Sequence, residues 1–110
     1  MKDAKKFRFV YKNKKYETEI KECRSLFSQI NGLMFKKNSI PLLFVFKRPV
    51  RKPIHSFFCR RFIAIWFSKN KIIDAKKINP WKVFIRPSEK FDMLLEIPEN
   101  NPLFHEIPTN

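Results

Sequence analysis

Apolar and polar residues alternate along two stretches near the start of the chain. Phe7, Phe9 and Tyr11 alternate with Arg8, Val10 and Lys12; Tyr16, Thr18 and Ile20 alternate with Glu17 and Glu19. A period of two marks a strand with one covered face, so residues 7–20 read as a β-hairpin. A two-residue loop at Asn13-Lys14 would set Phe7 opposite Ile20, Phe9 opposite Thr18 and Tyr11 opposite Tyr16. Arg8 would then face Glu19 on the other side, a favourable cross-strand pair. The period changes next. Leu26, Phe27, Ile30, Leu33 and Met34 follow the spacing of one helix face, with Ser25 as N-cap. Gly32, the one glycine of the chain, suits the left-handed residue at that helix's end.

Two unbroken apolar runs follow, Leu42-Leu43-Phe44-Val45-Phe46 and Phe62-Ile63-Ala64-Ile65-Trp66-Phe67. Continuous runs of strand length predict strands covered on both faces. Between them lies the basic, proline-containing loop Lys47 to Pro53. Ser68-Lys69-Asn70-Lys71 reads as a turn and Ile72-Ile73-Asp74-Ala75 as the returning strand. Asn79-Pro80-Trp81 breaks the chain again, and Met93-Leu94-Leu95-Glu96-Ile97 is a last core strand ended by Pro98. The fold expected is mainly β, bordering on α+β: a small β-sandwich or distorted barrel with one or two short helices. Residues 1–98 form a single β-rich domain in this reading, and 99–110 an extended, proline-containing tail anchored by Leu103 and Phe104.

Composition adds a compartment and a charge. The longest apolar run has six residues, far short of the ~20 that span a bilayer, and the charged N-terminus lacks the apolar core of a signal peptide. Cys23 and Cys59 lie far apart without a Cys-x-x-Cys motif, which fits reduced thiols in a cytoplasmic protein. Net charge is +14, of which +13 falls in residues 1–61, while the last twenty residues carry −4. Such an asymmetry suits an anionic partner such as nucleic acid. A coding bias towards codons lacking G and C would also enrich Lys, Phe, Ile and Asn, and both readings stay open.

Six segments taken in order carry a resemblance. They are Gly32-Leu33-Met34-Phe35, Leu42 to Phe46, His55-Ser56-Phe57-Phe58-Cys59-Arg60, Phe62 to Phe67, Asn79-Pro80-Trp81-Lys82 and Leu94-Leu95-Glu96-Ile97-Pro98. Over about residues 20–100 the chain resembles the family called domain of unknown function 192, in its shorter archaeal form. The resemblance implies a small, mainly β domain and offers no reaction to carry over. Three positions depart from that pattern: Cys59 stands where the family usually has Met, Ala64 where it has Asp, and Glu99-Asn100 where it has Ala-Gly. Glu96 matches an acidic family position whose partner position is Ala64. As a structural residue it would accept hydrogen bonds from the Gly32 turn or a buried arginine.

No catalytic residue, metal site or cofactor is expected. His55, His105, Cys23 and Cys59 lack ligand spacing, and His55 and Cys59, four apart on an extended strand, would stand ~13 Å from each other. Two functional readings remain, and they leave enzymatic activity open. In the preferred one the chain is a non-enzymatic binding module for an unknown, anionic partner. It would use Lys47, Arg48, Arg51, Lys52, Arg60 and Arg61, with Phe57, Phe58 and Trp81 as stacking platforms. Alternation along a strand would turn one of Arg60 and Arg61 inward, towards Glu96 or Asp92. In the alternative, a small-molecule or weakly catalytic pocket gathers Gly32, Met34, His55, Trp81 and Glu96.

Overall fold

The computed structural model describes residues 4–24, 39–57 and 59–109. The helix expected over 25–34, with Gly32 and Met34, lies outside these described residues, as does Phe58. The alternating segments form β1 (Ala4–Tyr11) and β2 (Lys14–Cys23), and the apolar runs form β3 (Leu42–Val50) and β4 (Phe62–Ser68). The returning strand is β5 (Lys71–Ile78) and the last core strand is β6 (Phe91–Pro98). All six join in one sheet of order β1-β2-β3-β6-β4-β5. Only β2 and β3 run parallel; β6 pairs antiparallel with β3 on one side and β4 on the other. The three apolar segments are therefore hydrogen-bonded neighbours.

The sheet curls almost into a barrel. In a flat sheet β1 and β4, four strands apart, would lie roughly 19 Å from each other. Instead the rings of Phe7 and Phe9 on β1 pack edge-on at 5.7 and 6.1 Å from Phe67 on β4. The fold is mainly β, as the sequence pattern implies.

Both faces of the central strands are buried, which is why their sequences do not alternate. Odd-numbered Leu43, Ile63, Ile65, Phe67, Leu95 and Ile97 point into the barrel and meet Phe9, Tyr16 and Ile20 of the hairpin. Even-numbered Leu42, Phe44, Phe62, Ala64, Trp66 and Leu94 form a second cluster on the outer face, covered by Ile54, Cys59 and Ile85 from two long loops. Phe62 to Phe67 are buried without exception. Within residues 99–110, a one-turn helix, α1 (Leu103–Glu106), stands where an extended course was expected. Burying Phe104 and Ile107 in the barrel end favours that turn over extension.

The hairpin register differs from the expected one by two residues. Phe7 pairs with Thr18, Phe9 with Tyr16 and Tyr11 with Lys14, and the loop is Lys12-Asn13. Both loop residues have positive φ (51° and 66°), the backbone that a type I′ hairpin turn needs. Asn13 thereby takes a left-handed position it tolerates well. Charge favours the same register, because Lys6 faces Glu19 and Arg8 faces Glu17, the latter pair at 2.6 Å. The other register would set Lys6 against Lys21. The same Lys-Asn device closes β4 onto β5, where Lys69 and Asn70 have φ of 51° and 68°.

Candidate binding site

Two loops cover the outer face of the sheet, residues 51–61 and 79–90, and Ser56 fastens them together. Its side chain is fully buried. The Ser56 hydroxyl donates to the Asn79 carbonyl (2.6 Å) and accepts from the Lys82 amide (2.8 Å). The Ser56 amide donates to the Lys82 carbonyl, and its carbonyl accepts from the Trp81 amide (3.0 and 3.1 Å). Further along, Ile54 and Ile85 exchange backbone bonds of 2.7 and 3.1 Å, and Arg51 Nε donates to the Pro87 carbonyl at 3.1 Å.

The fastened loops present aromatic rings to solvent. Trp81 is 61% exposed and Phe84 81%. Both have left-handed backbones, with φ of 64° and 56°. That conformation is uncommon for a bulky residue and costs of order 1–3 kcal/mol unless its surroundings impose it. Here the bonds to Ser56 impose it at Trp81. His55, Phe57 and Trp81 form a continuous run of rings, with centroids 5.2 and 5.8 Å apart. His55 Nδ1 accepts from the Phe57 amide at 3.2 Å.

Beside Phe84 lies an open cleft of about 440 Å³ between β5 and the 79–90 loop, lined in part by Lys76, Lys82, Phe84 and Arg86. Asp74 is its one acidic lining residue and pairs with Lys76 at 3.7 Å. Lys77 also lines the cleft, but its ammonium sits 4.9 Å over the Phe104 ring. Among the described residues no carboxylate pairs with Lys82 or Arg86.

The sequence-derived candidates divide. His55 and Trp81 come together through Phe57, while Glu96 is buried on β6 and is not part of that run of rings. Lys47 and Arg48 are exposed near the end of β3, and Arg51 and Lys52 are exposed at the start of the first loop. Arg60 and Arg61 are both exposed, and both pair with Glu99, at 3.7 and 3.1 Å. The expectation that one of them turns inward to Glu96 or Asp92 is therefore overturned. Both residues precede β4, so strand alternation does not govern them, and the Arg61 carbonyl already accepts the Glu99 amide (3.0 Å).

No family model matches the chain. A UPF0127 protein of Pyrococcus horikoshii is 31% identical over 91 residues, which cover 79% of this chain and 78% of that one. The chain belongs to the UPF0127 family. Two solved structures share the fold, each with a TM-score of 0.78 over 96% of this chain. One is a proposed transcription regulator from Sinorhizobium meliloti, 10% identical and covered over 88% of its length. The other is a protein of unknown function from Novosphingobium aromaticivorans, 12% identical and covered over 81%.

In this UPF0127 member Glu96 lies between apolar cross-strand neighbours, Leu42 and Ala64. It makes no ion pair among the described residues, and burial pushes its carboxyl up to about 8. Glu96 is thus mostly a neutral acid at pH 7. Cys59, in the loop above that face, is pushed up to about 11, by burial first and by Glu96 second. Its thiol donates to the Phe57 carbonyl at 3.4 Å, and neither cysteine forms a disulfide. A thiol so raised is a weak nucleophile near neutral pH.

Proposed function

We propose that this chain is a binding module for a polyanion, engaged by the ledge that the 51–61 and 79–90 loops build. One observation carries the reading: solvent-facing Trp81 and Phe84 on left-handed backbone stand next to a cleft that offers Lys82 and Arg86. Exposed apolar side chains rimmed by cations suit a partner with flat apolar groups and negative charge. The hairpin is basic as well, but among its described residues no large aromatic ring is exposed. Lys5 and Arg8 are paired with Glu22 and Glu17, and Lys12 and Lys14 lie over the rings of Tyr11 and Tyr16. Arg51 and Lys52, at the foot of the first loop, extend the basic rim, and Lys47 and Arg48 extend it along β3.

A cytoplasmic setting, which two cysteines outside any disulfide suit, would give the ledge access to nucleic acid. No helix among the described residues is long and apolar enough to cross a membrane. We also take the motif resemblance to domain of unknown function 192 and the UPF0127 membership to describe one group of proteins.

The test is a binding series with heparin and with single- and double-stranded DNA between 50 and 200 mM salt. A polyanion site gives an association constant that falls linearly with salt on logarithmic axes, and replacing Lys82 or Arg86 by Ala lowers the slope by about 1 each. A slope near zero with every polyanion overturns the reading.

A further inference from the structure

Resting on the polyanion reading, we infer that the partner is single-stranded nucleic acid, with bases stacked on Trp81 and Phe84 and a phosphate in the adjoining cleft. Trp81 and Phe84 stand three residues apart, at most ~11 Å. That is the span of about three stacked nucleotides at ~3.4 Å each. Both rings are the most exposed large apolar groups among the described residues. Trp81 packs against Phe57 and is still 61% exposed, and Phe84 is 81% exposed. A base that leaves its own strand can meet these exposed surfaces, whereas a base within a duplex is already stacked on both sides. Phosphate neutralisation then falls to Lys82 and Arg86, on the same loop, while Lys76, paired with Asp74, braces that loop by donating to the Arg86 carbonyl at 3.3 Å.

The backbone supports this assignment over an incidental patch. Two bulky residues held left-handed within four positions store strain, and strain of that kind persists only where the surroundings fix it. Ser56, buried and bonded to Asn79, Trp81 and Lys82, is that fixture at Trp81, and the Ile54–Ile85 backbone pair holds the residue next to Phe84. The ledge is therefore preorganised, and little ordering cost remains to be met on binding. An anionic membrane would also accept exposed Trp, Phe and Val beside lysine. A flat lipid surface leaves a concave cleft unused, so the cation-lined cleft beside Phe84 favours the strand.

The experiment uses the full chain and four probes at one salt concentration: fluorescein-labelled oligo(dT), duplex DNA of equal length, heparin, and vesicles containing phosphatidylserine. Oligo(dT) is expected to bind at least tenfold more tightly than the duplex and to quench tryptophan fluorescence. Trp81→Gly and Phe84→Gly are each expected to weaken oligo(dT) binding by about 5- to 150-fold, the equivalent of one lost base stack, and to weaken heparin, which has no base to stack, by a smaller factor. Circular dichroism confirms that each variant is folded. Equal or tighter duplex binding overturns the inference, as do vesicle binding without oligo(dT) binding and Gly variants that bind oligo(dT) like the parent. In the first of these outcomes the polyanion reading stands, and in the third it loses the two rings that carry it. Failure of oligo(dT), duplex and heparin alike overturns that reading itself.

Discussion

Glu96 on β6 stands directly across from Ala64 on β4, with Leu42 of β3 on its other side. The motif resemblance places a second acid at position 64, and the register makes the two positions immediate neighbours. Here that neighbour is a methyl group, and the Glu96 carboxyl is buried against apolar side chains.

Burial makes Glu96 a pH-dependent liability. Its carboxyl titrates at about 8 in the folded chain against 4.5 unfolded. Between those values the folded state keeps a proton that the unfolded state releases, so stability falls as pH rises and levels off above about 8. Each pH unit inside the window costs up to about 1.4 kcal/mol. Glu96→Gln, a neutral mimic of the acid, is expected to remove that slope. Urea unfolding of parent and variant at pH 5, 6.5 and 8 measures it, and parallel curves would contradict the burial argument.

Restoring an acid at position 64 tests the neighbour relation. In Ala64→Asp two buried carboxyls would share one face, where like charges cannot both ionise without cost. The variant is expected to lose roughly 3 kcal/mol at pH 8, and clearly less at pH 5, where both groups are protonated. A loss that is the same at both pH values would place the side chains out of reach of each other.

Ser56→Ala removes the hydroxyl and strands the Asn79 carbonyl and the Lys82 amide. Each group left buried and unpaired costs about 1–3 kcal/mol. Hydrogen exchange at the Lys82 amide is expected to speed up strongly, with β4 and β6 amides tracking only the global change. An unchanged Lys82 rate would show that Ser56 does not hold the loop.

Backbone strain at Phe84 separates glycine from alanine. Alanine keeps the left-handed cost, and glycine removes it at about 1 kcal/mol of advantage. Phe84→Gly is therefore expected to be more stable than Phe84→Ala, although both lose the same exposed ring. Thermal melts decide the order, and a more stable alanine variant would mean that no strain is stored there.

Much of this architecture was legible in the chain, and the physics says which part. Leu42 to Phe46 and Phe62 to Phe67 read as core strands because burial on both faces leaves no polar position in them, and Met93 to Ile97 reads the same way with Glu96 as its one polar residue. The hairpin was legible too, but its register was not. A two-residue shift keeps every side chain on its face, so alternation is blind to it; the pairing of Arg8 with Glu17 and the Lys12-Asn13 turn decide it. Strand order was hidden, since β6 enters between β3 and β4 from far along the sequence.

The proposed site was half legible. His55 and Trp81 were singled out and meet through Phe57, and Lys76, Lys82, Phe84 and Arg86 were missed. Val83-Phe84-Ile85 looks like a short buried strand, and no glycine or asparagine flags the positive φ at Trp81 or Phe84. The signal that could have found them is local. An apolar trio flanked by Lys82 and Arg86, between Pro80 and Pro87, is too short to cross the core and too well bounded to join a strand.

The central claim is that the ledge, and not the basic hairpin, meets the partner. Amide hydrogen exchange of the full chain with and without saturating oligo(dT) tests it most directly. Protection gathered at residues 54–57 and 79–86, with 5–21 unchanged, is the expected result. Protection over 5–21 with none at 79–86 would contradict it.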